Sequence, residues 1–391
     1  MQKDNPLRSS DVRAHNQNIL LSRIYEARKT GVSQSELVEE TGLKAPTVFR
    51  IFSSLEEQHL IEITGEKGET KEKPANKGRR PVRYTVSKDA LYTIGLEFWA
   101  SCVSLGLFNF NGDRIACRIE PLKADITIEE TMDIIVRTVN EILESLHIDR
   151  AKVAGMGVAA PGQVDLVNQR VINYSRIRGM RDLPLAENLR NRLGFTVIIH
   201  NNCSVIALSE FRYGGYDHQG SLFTFLLRYG VNGSFVDRQG IYTTERGITL
   251  ETGHVPVDNQ GPACGCGLKG CLESRLRALD TSNTEKQELL FHDLEQQLAA
   301  GDKKAEQVAV KAADCLFTVT KSIMRIFAPR SFLILGSGEL VAGKIAEKLQ
   351  KRWKEEPDAF ISTPPRVFSR AYDPETSQRG ASDLIMAHYF S

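Results

Sequence analysis

The stretch His254-Val-Pro-Val-Asp-Asn-Gln-Gly-Pro-Ala-Cys264-Gly-Cys266-Gly-Leu-Lys-Gly-Cys271-Leu-Glu273 constrains this chain more than any other. Three of the seven cysteines fall between positions 264 and 271, and a histidine precedes them. A structural zinc ion takes four N or S ligands in a tetrahedron, and His254, Cys264, Cys266 and Cys271 supply such a set. Gly265, Gly267 and Gly270 let the backbone turn tightly between the ligands. The expectation is one Zn2+ per chain. Unliganded thiols are the bland alternative. A disulfide fits less well, because three is an odd number and nothing in the sequence points to an oxidising compartment.

A chain of 391 residues, 41% hydrophobic and 25% charged, predicts a soluble protein of two or three domains. Net charge is +1, so bulk charge does not make it a polyanion binder. Residues 1–84 carry more Lys and Arg than Asp and Glu, and the remainder slightly fewer. No apolar run reaches the roughly 18 residues of a membrane helix. MQKDNPLRSS lacks the apolar core of a signal peptide. The expectation is a cytoplasmic protein without membrane insertion, in which Cys102, Cys117, Cys203 and Cys315 are reduced thiols.

The N-terminal segment predicts a DNA-reading module. Residues 11–29 read as a helix with Val12, Ile19, Leu20 and Ile24 apolar. Ser33-Gln-Ser-Glu36 is a capping box that starts a second helix. Thr41-Gly42-Leu43 reads as a turn. A third helix from Lys44 places Val48, Ile51, Phe52 and Leu55 on one face. Helix, short helix, Gly turn, helix is the helix-turn-helix arrangement, whose second helix enters the major groove. Lys44, Ala45, Pro46, Thr47, Phe49 and Arg50 form the predicted groove-facing set. Leu60–Ile63 and Val82–Val86 read as strands of a wing. Between and beside them stand Lys67, Lys71, Lys73, Lys77, Arg79, Arg80 and Arg83, and Lys77-Gly78-Arg79-Arg80-Pro81 has the character of a minor-groove or phosphate contact. A solvated linker or a packing bundle without ligand would show the same patterns.

From Tyr92 the texture becomes β/α. Thr93–Leu96, Cys102–Phe110 and Ile115–Ile119 read as strands, with Asn111-Gly112 as a hairpin turn. Thr127-Ile-Glu-Glu130 caps an amphipathic helix, and Val153–Ala160 is a buried strand. Further helices are expected over 285–300, 303–327, 340–355 and 378–390. This pattern alone says α/β.

Glu251-Thr-Gly-His254, then CGCGLKGC, then Leu272-Glu273, resembles the zinc signature of the ROK family of repressors, open reading frames and sugar kinases. More weakly, the resemblance extends over residues 1–391. It implies an N-terminal winged helix-turn-helix, mainly α, followed by an α/β actin-like (ribonuclease-H-like, sugar-kinase-type) two-lobed body. The implied division is residues 1–84, then 85–200 plus 376–391 as the first lobe, then 201–375 as the second. It places Gly162, Asn201, Asn202, Glu251, His254 and Glu273 at the family's sugar-facing positions.

The resemblance also shows departures. ROK kinases carry roughly Asp-x-Gly-Gly-Thr where this chain has Glu97-Phe98-Trp99-Ala100-Ser101. Their second phosphate loop, Gly-Thr-Gly-x-Gly-x-Gly, becomes Tyr229-Gly230-Val231-Asn232-Gly233-Ser234-Phe235 here. An adenosine-side Gly pair becomes Gly336-Ser337-Gly338. Asn202 replaces the aspartate that takes the proton from the sugar hydroxyl. A carboxamide does not ionise, so it is no general base, but it still hydrogen-bonds a hydroxyl. The expectation is therefore no catalytic residue and no enzyme. It is a regulator, most often a repressor, of a carbohydrate uptake or catabolism operon, binding double-stranded operator DNA and a sugar or sugar-phosphate effector as a homodimer or tetramer. The alternatives are a ROK sugar kinase with an N-terminal extension, and a repressor controlled by a protein regulator instead of a sugar.

Overall fold

The computed structural model describes residues 9–64, 81–216, 220–280, 289–356 and 358–391. Helices α1 (Ser9–Glu26), α2 (Gln34–Thr41) and α3 (Ala45–Glu57) come first, with strands β1 (Val32–Ser33), β2 (Ile61–Ile63) and β3 (Arg83–Val86). The strands form an antiparallel sheet of order β1-β3-β2. The box at Ser33 forms: Glu36 N donates to Ser33 Oγ at 3.3 Å, and Ser33 N donates to Glu36 Oε2 at 2.8 Å. Gly42 ends α2 at φ 67°, a left-handed conformation that glycine adopts without a Cβ clash. On α3 the buried residues are Val48, Ile51, Phe52 and Leu55, as the spacing predicts.

Two details differ from expectation. Helix α1 stops at Glu26, and Gly31, at φ 68°, lies in the turn that leads to β1. Arg83 is occupied: it pairs with Glu36 Oε1 at 3.0 Å and donates to Gly31 O at 2.8 Å. Lys67, Lys71, Lys73, Lys77, Arg79 and Arg80 lie outside the described residues.

The body contains two five-stranded sheets. The first uses β4 (Tyr92–Trp99), β5 (Cys102–Asn109), β6 (Arg114–Pro121), β7 (Val153–Ala160) and, after the short strands β8 (Gln163–Asp165), β9 (Arg170–Asn173) and β10 (Arg181–Leu183), β11 (Val197–Asn201). Its order is β11-β7-β4-β5-β6, while β8–β10 form a small antiparallel sheet of their own. Helices α4 (Ile128–Ser145) and α5 (Leu185–Leu193) flank it. Thr127 and Glu130 cap α4 reciprocally, as predicted.

Helix α6 (Asn202–Tyr213) leads to the second sheet, of β12 (Ser221–Leu227), β13 (Val231–Asp237), β14 (Gly240–Ile241), β15 (Ser331–Gly336) and β16 (Arg366–Ala371). Its order, β14-β13-β12-β15-β16, mirrors the first: antiparallel meander, then two parallel strands. This duplication is a property of the topology and leaves no repeat in the residues. Helices α7 (Leu272–Leu279), α8 (His292–Ala299), α9 (Lys303–Ile326) and α10 (Glu339–Glu355) belong with this half. The helix expected from 285 begins at His292, after Phe291 takes a left-handed φ of 62° and its N–H bonds Asp280 Oδ2 at 2.6 Å.

The last helix, α11 (Pro374–Tyr389), returns to the first sheet at backbone contact distance. A Cβ on Gly95 would sit 1.7 Å from Gln378 O, and one on Gly157 would sit 1.7 Å from Ala381 O. Only glycine fits under this helix. Met386 of α11 and Phe110 after β5 are buried in the same hydrophobic cluster as Leu20, Leu21, Ile24 and Phe52 of the N-terminal module. Tyr25 stacks on Phe110 with centroids 5.7 Å apart and meets Phe390 at 5.3 Å. Arg28 Nε donates to Asn111 O at 2.9 Å, and Lys29 pairs with Asp113 at 2.9 Å. Module and body therefore share a core, and truncating a buried aromatic such as Phe110 to Ala would cost about 3–5 kcal/mol. Among the described residues no helix is long and apolar enough to cross a membrane.

Candidate functional site

A cavity of about 610 Å3 opens between the two halves of the body. Its wall includes all six sugar-facing candidates: Gly162, Asn201, Asn202, Glu251, His254 and Glu273. Local structure explains how they converge. Asn201 ends β11 and caps α6; its Oδ1 accepts from Ser204 N at 3.4 Å and its Nδ2 donates to Gly162 O at 2.9 Å. Gly162 itself sits at φ 75°, where a Cβ would lie 2.3 Å from Asn173 O. Asn202 opens α6 and is half-buried at the wall, with Oδ1 accepting from Cys203 N at 2.8 Å.

The two carboxylates differ. Glu273, in the first turn of α7, accepts from Val231 N at 2.9 Å and pairs with Arg277 at 3.5 Å. Glu251 precedes the short 3-10 turn Thr252–His254, and burial, with a smaller repulsion from Glu273, pushes its carboxyl up to about 7. Polar groups that accept and donate at several angles around one cavity suit vicinal hydroxyls.

Beside the cavity, one ligand atom each from His254, Cys264, Cys266 and Cys271 lies within 4.8 Å of the others. His254 Nδ1 is 3.4 Å from Cys264 Sγ, and Cys266 Sγ is 3.6 Å from Cys271 Sγ. Zn–S of about 2.3 Å and Zn–N of about 2.0 Å give tetrahedral edges of roughly 3.5–3.8 Å, so the spacing fits a metal. It does not fit a disulfide, whose sulfurs sit about 2.05 Å apart. The loop is built for this. Cys264 N donates to Leu268 O at 2.8 Å, Gly270 N donates to Pro262 O at 2.8 Å, and a Cβ on Gly270 would fall 1.5 Å from Asp258 O. With Nδ1 turned to the sulfurs, the far side of the His254 ring remains for the cavity it lines.

The sequence missed several wall residues. Trp99, Arg228 and Tyr229 come from hairpin tips, Gln163 and Asn173 from strands β8 and β9, and Ser175 and Arg176 from the connection between β9 and β10. Short strands bounded by ordinary residues carry no pattern to find them by. Farther away, Lys44, Pro46, Phe49 and Arg50 of the predicted DNA-facing set are exposed, while Ala45 and Thr47 are half-buried. Lys77, Arg79 and Arg80 lie outside the described residues.

Comparison with known proteins matches the ROK family description over residues 93–388. A xylose repressor of Bacillus spizizenii is 25% identical over 286 residues, 72% of each chain. A glucokinase of Thermotoga maritima is 27% identical over 285 residues, 66% of this chain and 87% of that one. Among solved structures, a ROK family transcriptional regulator described as a homologue of the E. coli MLC protein superposes with a TM-score of 0.77 at 18% identity, covering 96% of this chain and 97% of that one. That last likeness concerns the fold, and it includes the N-terminal module.

Proposed function

This chain belongs to the ROK family, and from that premise we propose that it is a sugar-responsive transcriptional repressor of a carbohydrate operon. The observation that carries the reading is a shared core: an exposed helix face and a polar cavity occur in one chain, joined through α11. We assign residues 1–84 to a winged helix-turn-helix, residues 85–200 plus 376–391 to the first lobe and residues 201–375 to the second. Lys44, Ala45, Pro46, Thr47, Phe49 and Arg50 read the major groove, and Lys77, Arg79 and Arg80 meet phosphates or a narrow minor groove. A helix-turn-helix reads one half-site, so the working form is a homodimer or tetramer on a palindrome.

Gly162, Asn201, Asn202, Glu251, His254 and Glu273 hold the effector, a sugar or sugar phosphate. His254, Cys264, Cys266 and Cys271 hold zinc, which cross-links the loop between Glu251 and Glu273 and so fixes both carboxylates. A physical route runs from this site to the module. Helix α6 starts at Asn202 and ends at Arg212 and Tyr213, which grip buried Asp383 of α11 at 2.7 and 2.9 Å. Helix α11 in turn carries Met386, and its C-terminal cap Phe390, against α1.

A second reading, a sugar kinase with an N-terminal extension, has the glucokinase relative behind it. Asn202 weighs against it, because a carboxamide takes no proton from a hydroxyl.

The test is fluorescence anisotropy of the full chain on the DNA upstream of its own gene, with and without D-xylose, D-glucose, N-acetyl-D-glucosamine and their 6-phosphates where these exist. The expected outcome is operator binding released by one of them. Arg79→Ala with Arg80→Ala should lower the slope of log affinity on log salt by about 0.9 per lost phosphate contact. Arg50→Ala should change operator preference by about 1–3 kcal/mol. Binding to operator no tighter than to random duplex at roughly 0.15 M salt would sink the reading. Operator binding that no sugar releases would favour control by a protein partner.

A further inference from the structure

Two hairpin tips meet at the edge of the cavity, one from each sheet. The first is the turn between Trp99 and Cys102, and the second is Arg228-Tyr229-Gly230 between Leu227 and Val231. Glu97, on the first hairpin, has no exposed surface. Its carboxylate accepts from Arg228 Nη1 of the second hairpin at 3.3 Å, from Ser377 Oγ of α11 at 2.6 Å, and from the Tyr372 hydroxyl. The Arg228 guanidinium, on a residue only 6% exposed, lies 3.4 Å from the Tyr372 ring centroid, 4.7 Å from Trp99 and 5.2 Å from Tyr229. The Tyr229 carbonyl accepts from Arg176 Nη2, across from the first half, at 2.9 Å, and also from Arg277.

A buried ion pair adds little net stability over an apolar filling, but losing one partner leaves a charge stranded. Such a pair fixes geometry, and this one fixes the two halves against each other. The same tip also forms part of the cavity. Arg228, Tyr229 and Trp99 line it, and Val231 N, next in the hairpin, holds Glu273. We propose that the Arg228–Glu97 cluster is an inter-lobe latch, in which the chain's own guanidinium bridges the two hairpin tips and ties lobe closure to occupancy of the adjacent cavity. Any ligand that engages Glu273 or wedges beside Arg228 acts on the latch directly. This coupling to a ligand rests on the effector reading above; the latch itself does not.

The test reads the lobes without sugar or DNA, so failure of the repressor reading leaves it intact. The chain has two tryptophans. In a Trp353→Phe background, Trp99 alone emits, and acrylamide quenching reports its access to solvent. Solution X-ray scattering reports the radius of gyration. Arg228→Met strands Glu97, and the expected result is quenching of Trp99 raised roughly twofold or more with a larger radius of gyration. Tyr372→Phe keeps the ring and removes one hydroxyl from Glu97, so its change is smaller and in the same direction. If Arg228→Met fails to fold, Arg228→Met with Glu97→Gln removes both charges together and restores a neutral interior. A folded double variant with loosened lobes supports the latch. Unchanged quenching and radius in either folded Arg228 variant overturns it. Titration of the same proteins with D-xylose and D-glucose then asks whether the sugar that releases DNA shifts Trp99 quenching in the parent and loses that shift in Tyr372→Phe.

Discussion

The two walls of the cavity are built on opposite principles. On one, Asn202, Glu251, His254 and Glu273 are half-buried and present polar groups to an open space. On the other, Arg228 is 6% exposed and is tied to Glu97, which lies behind the wall at 0% and whose carboxylate is met by three partners. The first wall has chemistry to offer a ligand; the second has used its chemistry internally. Recognition and phosphoryl transfer need different walls, so a chain can keep one and close the other. Predictions that separate the walls test this division.

Removing the metal should give the largest effect, and mainly on the first wall. Structural zinc sites contribute on the order of 10 kcal/mol of apparent binding energy to the fold they hold. Elemental analysis should find one zinc per chain. Cys264→Ser, or prolonged chelation, should lower the melting temperature, free the Glu251–Glu273 loop and abolish the sugar response. Trp99 quenching, which reports the second wall, should change less than the sugar response, because the disturbance reaches it at one remove, through the Glu273–Val231 bond. A metal-free protein that responds to sugar normally would remove zinc from the account.

Protonation of Glu251 should give a smaller effect on the same wall. Its carboxyl is raised to about 7, first by burial and then by Glu273, against an ordinary value of 4.5. A raised carboxyl favours the folded state when protonated. Its contribution is therefore present below about pH 4.5 and is lost as pH climbs to about 7. The loss is at most about 3 kcal/mol, since one pKa unit is 1.36 kcal/mol. Glu251→Gln removes this group from the titration. Chemical denaturation from pH 5 to 8 should show the parent losing stability relative to Glu251→Gln across that window. Parallel curves would mean that the carboxyl titrates at its usual place.

The two walls were also unequally legible in the sequence. The metal loop announced itself because its ligands are close in the chain and chemically rare, as in Cys264-Gly-Cys266. Capping boxes at Ser33 and Thr127 and the buried face of α3 were legible for the same reason: the contacts span a few residues. The substituted hairpins could be read only as losses of glycine. That Arg228 fills the space with Glu97, 131 positions away, depends on how two sheets dock, and no local pattern encodes that. The duplicated sheet order was invisible likewise, because the two halves share topology without sharing residues. The seat of α11 was half-visible: Gly95 and Gly157 look like ordinary strand glycines until Gln378 and Ala381 cross them.

The smallest expected effect is the one that bears hardest on the comparison. Asn202→Asp puts a carboxylate on the wall that holds the proposed effector, and with it a group able to accept a hydroxyl proton. If a proton acceptor were all that phosphoryl transfer required here, the substitution would raise kinase turnover. Phosphoryl transfer, however, is mostly positioning and electrostatic stabilisation of the transferring group, and the hairpins that resemble the family's phosphate loops lie on the opposite wall. There, backbone that would have to approach a phosphate is crowded by Trp99 and by a guanidinium already committed to Glu97. The expected turnover of Asn202→Asp with Mg-ATP and D-glucose or D-xylose is therefore no more than that of Glu251→Ala under the same coupled assay. The new carboxylate should instead weaken sugar binding modestly, because it crowds a third carboxyl group beside Glu251 and Glu273. Turnover clearly above that control would show that the second wall still accepts a nucleotide, and the division between the walls would fail with it.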